Sequence, residues 1–295
     1  MHEFLVEKLR EIYDDNTVNN ILEGLSGKRK TTFRVNTLKS SISDIATYLE
    51  NNHIFYNKSN ILDNAFIIED ESYAFITESS IYKDGLIYLQ SLSSMLSAYI
   101  VAPSEKENIL DMCAAPGGKA TLMAALSNNK SNITAIELHK DRYERLKYNI
   151  EKQGANIYAL NINAIDLNDN LKFDKILLDA PCSGSGIINI TDDKYKKSFT
   201  NELINKCVKT QKNLIKKASK ILKTGGTLIY STCSLLKEEN EDAINFALNS
   251  GFKIDKIDID SYISTTNIIK NDTYIKIIPN EIYEGFFIAR LIKSS

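Results

Sequence analysis

Between Asn108 and Ser231 the chain repeats one pattern: a short apolar run, a turn, then a helical stretch. The runs are expected as strands at Ile109–Ala114, Ile133–Leu138, Ile157–Ile162, Lys175–Ala180 and Thr227–Ser231. Helical patterns lie between them at Lys119–Ser127, Lys140–Gln153 and Asn201–Leu222. Short apolar strands alternating with helices specify a parallel sheet with helices on both faces. The expectation is therefore an α/β fold with a doubly wound, mostly parallel sheet. Lys223-Thr224-Gly225-Gly226 reads as a tight helix-to-strand turn, and strands at Thr273–Ile278 and Glu284–Ile292 would close the sheet.

The first 85 residues follow a different rhythm. Phe4–Tyr13, Thr17–Leu25 and Ser41–Asn52 read as helices, and Thr31–Val35 and Ala65–Glu69 as strands, a small α+β unit. Asp84-Gly85 marks a turn, and Leu89–Val101 reads as a linking helix. Two domains are expected, residues 1–85 and 86–295.

Bulk properties exclude several classes. No uninterrupted apolar run approaches the roughly twenty residues that span a bilayer. Met1-His2-Glu3-Phe4 lacks the basic start and apolar core of a secretory signal, so a cytoplasmic protein is expected. The simplest expected assembly is a monomer. A net charge of −2 advertises no global affinity for nucleic acid. Basic residues do gather locally, at Lys28-Arg29-Lys30 with Arg34 and at Lys194-Tyr195-Lys196-Lys197. The bland reading of each cluster is a solvated face. None of the four cysteines forms a CxxC pair, so neither a metal site nor a disulfide framework is expected.

Two of those cysteines stand in unusual contexts. Cys182 lies in Asp179-Ala180-Pro181-Cys182-Ser183-Gly184, and Cys233 in Ser231-Thr232-Cys233-Ser234. Each follows an expected strand. If both strands share one sheet, both thiols sit at strand C-terminal ends, where open α/β sheets place their chemistry. That placement favours covalent catalysis over packing. Cys207, inside a helical pattern, reads as a small buried hydrophobe, and Cys113 much the same.

A second constellation follows the first expected strand of the βα repeat. Cys113, Ala114, Ala115, Pro116, Gly117, Gly118 and Lys119 form a small-residue loop opening a helix. Such a loop lets a ligand approach the backbone, and the helix start offers N–H groups. It is neither a dinucleotide fingerprint nor a Walker loop. Glu137 ends the second strand, where an acid suits the hydroxyls of a ribose. Loop and acid together read as a site for a nucleoside-bearing cofactor. S-adenosyl-L-methionine, which has no phosphates to cradle, is favoured over a dinucleotide.

At these residues the chain resembles the RNA (cytosine-5) methyltransferases of the NOP2/Sun family. The resemblance covers nearly the whole chain. It rests on the Cys113–Lys119 loop, on Leu177–Gly186, and on Tyr230–Leu235 followed by Glu238-Glu239-Asn240-Glu241. Arg34-Val35-Asn36-Thr37-Leu38-Lys39, Gln90 with Ser94, and Gly285–Arg290 support it. The resemblance implies a Rossmann-like class I methyltransferase domain preceded by an RNA-contacting N-terminal domain. It implies 5-methylcytosine formation in rRNA or tRNA through a covalent cysteine–C6 adduct, with the target cytosine unstacked or single-stranded. The alternative is a non-catalytic RNA-binding module that keeps the fold.

Cytosine carbon 5 is a poor nucleophile, and thiolate addition at carbon 6 makes it enamine-like, which is nucleophilic catalysis. The residues alone leave the order of the two thiols open. The resemblance implies that Cys233 attacks and that Cys182 assists proton removal or release. Asp179 would address N3 and the amino group of the ring and lie close to the cofactor. Lys119 would lower a neighbouring thiol's pKa or hold Asp179 in place. Cys113–Lys119, Glu137, Asn163 and Asp179 would bind the cofactor.

The chain departs from the family in three places, one of them Glu284, which replaces a common Asp before Gly285. Asn163 stands where an acid is common, with Asp166 a near substitute. After Gly186, the segment Ile187-Ile188-Asn189-Ile190-Thr191 lacks the usual arginines, which implies fewer phosphate contacts. The Lys28–Arg34 patch would hold RNA backbone. Tyr56, Tyr73 and Phe75 are candidates for base stacking, although core packing is the commoner use of such rings.

Overall fold

The computed structural model describes residues 2–60, 62–69, 73–192, 199–257 and 267–294. The Lys194–Lys197 cluster lies outside the described residues. The protein is α/β, with a mostly parallel central sheet and a small N-terminal sheet. Contacts gather it into two units. Among the described residues one unit falls within Lys30–Asp166, and the other takes in residues 2–29, 167–257 and 267–294. This grouping differs from a single cut after residue 85.

The Lys30–Asp166 unit carries two sets of strands. Strands β1 (Thr32–Val35), β2 (Tyr56–Lys58), β3 (Ala65–Ile68) and β4 (Ile87–Leu89) form an antiparallel sheet in the order β2-β3-β1-β4. Phe33, Val35, Ile45, Leu49, Phe66 and Ile68 pack beneath it. The helix Ile42–Asn51 starts at a capping box made by Ser41 and Asp44. β2 and β4 carry no strand signal strong enough to read from sequence. The expected helix from Leu89 begins only at Leu92, because Leu89 is paired with Phe33 and Ser91 caps the helix through Ser94 N. Parallel strands β5 (Asn108–Asp111), β6 (Asn132–Ile136) and β7 (Ile157–Leu160) follow, joined by helices Gly118–Leu126 and Lys140–Gln153.

In the other unit, β8 (Phe173–Asp179) pairs in parallel with β9 (Leu222–Thr232). Their connection includes the amphipathic helix Asn201–Ile221. Leu222 pairs with Phe173 and Thr227 with Lys175, so Lys223–Gly226 bulges out with Gly225 at φ +74°. The expected turn is thus an interruption inside one strand. After β9 come helix Glu241–Leu248, β10 (Phe252–Ile254), β11 (Ile268–Lys270), β12 (Ile275–Ile277) and β13 (Phe286–Lys293). β13 runs antiparallel to β9. The N-terminal helices His2–Arg10 and Asp15–Ser26 bury Leu5, Leu9, Val18, Ile21 and Leu25 against Ile188, Leu235 and Leu236. Among the described residues no helix is long and apolar enough to cross a membrane.

Candidate active site

The β8–β9 register places Asp179 opposite Ser231, and Ser231 Oγ donates to Asp179 Oδ1 at 2.8 Å. Both strands then break into loops. Ala180 N still donates to Ser231 O, and beyond that the loops carry Cys182 and Cys233 towards each other. Their sulfurs lie 3.1 Å apart, within hydrogen-bonding reach and unbonded. Both thiols are half-buried. The contact with Cys233, together with burial, holds the Cys182 thiol well above its ordinary pKa. Cys207 is buried, and burial raises its pKa to about 11, as suits a packing thiol.

Backbone contacts fix the two loops. Gly186 N donates to Cys233 O and Gly285 N to Gly186 O, both at 2.9 Å. A Cβ on Gly186 would fall 2.3 Å from Gly285 O and 2.9 Å from Cys233 O, so only glycine permits this pass. Gln211 Nε2 donates to Pro181 O at 3.0 Å.

Behind the thiols lies a residue to which the sequence reading gave no role. Glu239 is fully buried on the turn Lys237–Glu239. Its carboxylate accepts Ser183 N at 2.7 Å, Ser183 Oγ at 2.6 Å and Ser234 Oγ. Its own carbonyl accepts Tyr230 Oη at 2.6 Å. Burial raises its pKa, against the lowering effect of the two serines. The available signal was an acidic pair, Glu238-Glu239, directly after the second thiol block.

In the Lys30–Asp166 unit the Cys113–Lys119 loop is braced on its carbonyl side. Ala114 O accepts Gly117 N, Ala115 O accepts Arg142 Nη2, and Pro116 O accepts Asn149 Nδ2. Gly117 O accepts Thr121 Oγ1, and Gly118 O accepts Arg34 Nη2. The negative ends of five successive peptide dipoles are thus already engaged. Gly117, at φ +109°, begins the next helix without a side-chain cap. This arrangement suits an anionic group such as the carboxylate of an amino acid. Lys119 is half-buried in the first helical turn.

Glu137 is buried just beyond β6. One oxygen accepts His139 N at 2.9 Å and the other lies 3.4 Å from Arg142 Nη1. Arg142 therefore joins the acid to the loop. A carboxylate keeps acceptor capacity beyond these contacts, so the loop and acid fit the adenosine and amino-acid ends of S-adenosylmethionine. Asn163 instead turns back on its own chain, with Oδ1 accepting Ile165 N at 3.2 Å. Asp166 is exposed.

Three members of the Lys28–Arg34 basic patch are engaged within the protein. Arg29 lies 3.6 Å from Glu284, and Lys30 pairs with Glu69 at 2.6 Å. Arg34 is fully buried. It donates to Gln90, Thr121 and Gly118 and stands over the Tyr88 ring, and burial lowers its pKa to about 10. Strand β1 turned it inward. Tyr56 packs on Phe66, whereas Tyr73 and Phe75 are exposed. The segment after Gly186 is apolar because Ile188 and Ile190 join the core under the N-terminal helices.

Comparison with known proteins gives a consistent set of likenesses. Residues 98–292 match the family described as 16S rRNA methyltransferase RsmB/F. Residues 2–73 match a ferredoxin-like domain of RsmF/B-like methyltransferases. The chain is 33% identical to ribosomal RNA small subunit methyltransferase F of Vibrio parahaemolyticus, over 98% of this chain and 62% of that protein. It is 37% identical to the tRNA (cytosine(72)-C(5))-methyltransferase of Pyrococcus horikoshii, over 74% of this chain and 55% of that protein. It therefore spans less than two thirds of either curated relative. The crystal structure of NSun6 from Pyrococcus horikoshii with SFG superposes with a TM-score of 0.87 at 26% identity, covering 99% of this chain and 98% of that one.

Proposed function

Because the chain belongs to the RsmB/F family of methyltransferases, we propose that it forms 5-methylcytosine in rRNA or tRNA through a covalent adduct between Cys233 and the base. The observation that carries this reading is the 3.1 Å approach of the two sulfurs, a contact that together with burial pushes the Cys182 thiol's pKa up. A thiol with a raised pKa is the poorer nucleophile. That leaves Cys233 to add to carbon 6; on release Cys182 passes its proton to the departing Cys233 sulfur and, as the thiolate so formed, takes up the carbon-5 proton.

Asp179 is proposed to hold the cytosine ring by N3 and the amino group, with Ser231 orienting its carboxylate. A proton held near N3 offsets the negative charge that develops when the thiolate adds. Cys113–Lys119 and Glu137 are the residues proposed to hold S-adenosylmethionine, which when bound supplies an electrophilic methyl group. Arg142 and Asn149 join that set as braces of the loop. Asn163 is kept as a contact to the adenine end, through its amide nitrogen.

RNA contact is assigned to residues 1–85 and catalysis to residues 86–295. The exposed rings of Tyr73 and Phe75 support the first assignment, since unstacked bases are commonly gripped on aromatic faces. The buried Arg34 supports loop bracing in place of the phosphate role. A non-catalytic RNA-binding module would have no use for two adjoining thiols at neighbouring strand ends.

Bisulfite sequencing of total RNA from cells with and without the gene tests the reading. A cytosine that loses methylation on deletion, and regains it with the wild-type gene but not with Cys233→Ala, is the expected result. An unchanged methylation map would overturn it.

A further inference from the structure

Glu239 touches both thiol loops, yet among the described residues no cation pairs with it. A buried carboxylate without a counter-charge is costly, and it is retained here by three donated hydrogen bonds. Their direction is informative. Ser185 Oγ accepts Leu235 N at 2.9 Å and lies 3.0 Å from Ser234 Oγ. Ser234 Oγ accepts Leu236 N at 3.1 Å and donates to Glu239. Ser183 donates to the same carboxylate from both its nitrogen and its hydroxyl. The hydroxyl protons of Ser183 and Ser234 thus converge on one acceptor, an arrangement that suits the ionised carboxylate, which only accepts.

Those donors sit immediately after the thiols: Ser183 follows Cys182, and Ser234 follows Cys233. We propose that ionised Glu239 is a positioning residue that fastens the Cys182 loop to the Cys233 loop, holding the two sulfurs in contact and giving them their unequal roles. The charge acts in the same sense as the geometry. Glu239 lies close enough to disfavour a thiolate at Cys182, adding to the effects of Cys233 and burial. A neutral isostere would preserve part of the hydrogen bonding and remove that bias.

The proposal rests on the thiol chemistry proposed above, but its test does not require RNA. Full-length wild-type protein and Glu239→Gln are alkylated with iodoacetamide across pH 6–9, and Cys182 and Cys233 are quantified separately by peptide mass spectrometry. In wild type, Cys233 is expected to react faster. In Glu239→Gln the Cys233-to-Cys182 ratio is expected to fall about ten-fold, the scale of one charge-assisted interaction. Glu239→Asp, which keeps the charge, should recover part of the ratio. With RNA and donor, kcat should fall about ten-fold or more while KM for both stays within about two-fold.

An unchanged alkylation ratio with unchanged kcat in a folded Glu239→Gln overturns the proposal. Should that variant fail to fold, Ser183→Ala carries the same measurements, because it removes one hydroxyl link and leaves the backbone one. Wild-type protein that methylates no RNA would sink the proposed function, while the alkylation ratio still decides the role of Glu239.

Discussion

Cys182 Sγ and Cys233 Sγ lie 3.1 Å apart because adjacent parallel strands end in step, with Asp179 beside Ser231. That contact, burial and the buried acid Glu239 all push the Cys182 thiol's pKa up.

The two thiols should fail differently when removed. Cys233→Ala is expected to abolish methyl transfer while leaving donor binding within about two-fold, since no donor contact is assigned to it. Cys182→Ala should instead accumulate an RNA–protein adduct, seen as a retarded band in a denaturing gel. An adduct that forms in Cys233→Ala and not in Cys182→Ala would reverse the assignment.

Donor affinity should depend on Glu137 and on the residue that ties it to the loop. Glu137→Ala is expected to weaken S-adenosylmethionine binding about ten- to a hundred-fold, the range for hydrogen bonds to a charged group. Arg142→Ala should cost less, because Glu137 keeps its bond from His139 N. Isothermal calorimetry on both variants is the check, and unchanged binding in Glu137→Ala would rule out the ribose contact.

Gly186→Ala should be among the more damaging single-methyl changes. The added Cβ meets backbone at Gly285 and Cys233, neither of which is the end of a flexible side chain. A loss of about 3 kcal/mol is expected, at the upper end of overpacking costs. Gly27→Ala is the control, because its nearest new contact is an ordinary 3.5 Å to Glu23 O. Urea unfolding of the two variants should separate them clearly.

Stability should vary with pH through Glu239. Burial raises its pKa above the ordinary value of 4.5, so the folded chain holds that proton more tightly than the unfolded chain. The contribution to stability is complete below the unfolded value and is lost as pH rises through the folded one. Glu239→Gln should flatten this decline. Urea midpoints measured from pH 4 upward give the comparison, and parallel curves for the two proteins would contradict it.

Sequence by itself determined the parts of this protein that depend on local pattern. The βα rhythm is written in short apolar runs and helical periodicity, and Lys140–Gln153 is found with the expected ends. The thiols' places after two strands, and the small-residue loop before a helix, were equally legible. Short elements were not: β2 and β4, at three residues each, carry too few positions to establish a period. Nor was direction. Arg34 read as surface charge, yet every residue of β1 is buried, so the face opposite Phe33 is covered as well, and Gln90 and Thr121 receive Arg34 there.

What tertiary structure alone decided is the meeting of residues far apart in the chain. The register of β8 on β9 sets the sulfurs in contact, and the turn after Cys233 returns Glu239 beneath both loops. Neither contact leaves a mark on local sequence, because hydrogen-bond partners fifty residues away are chosen by how strands align, not by the residues that flank each thiol.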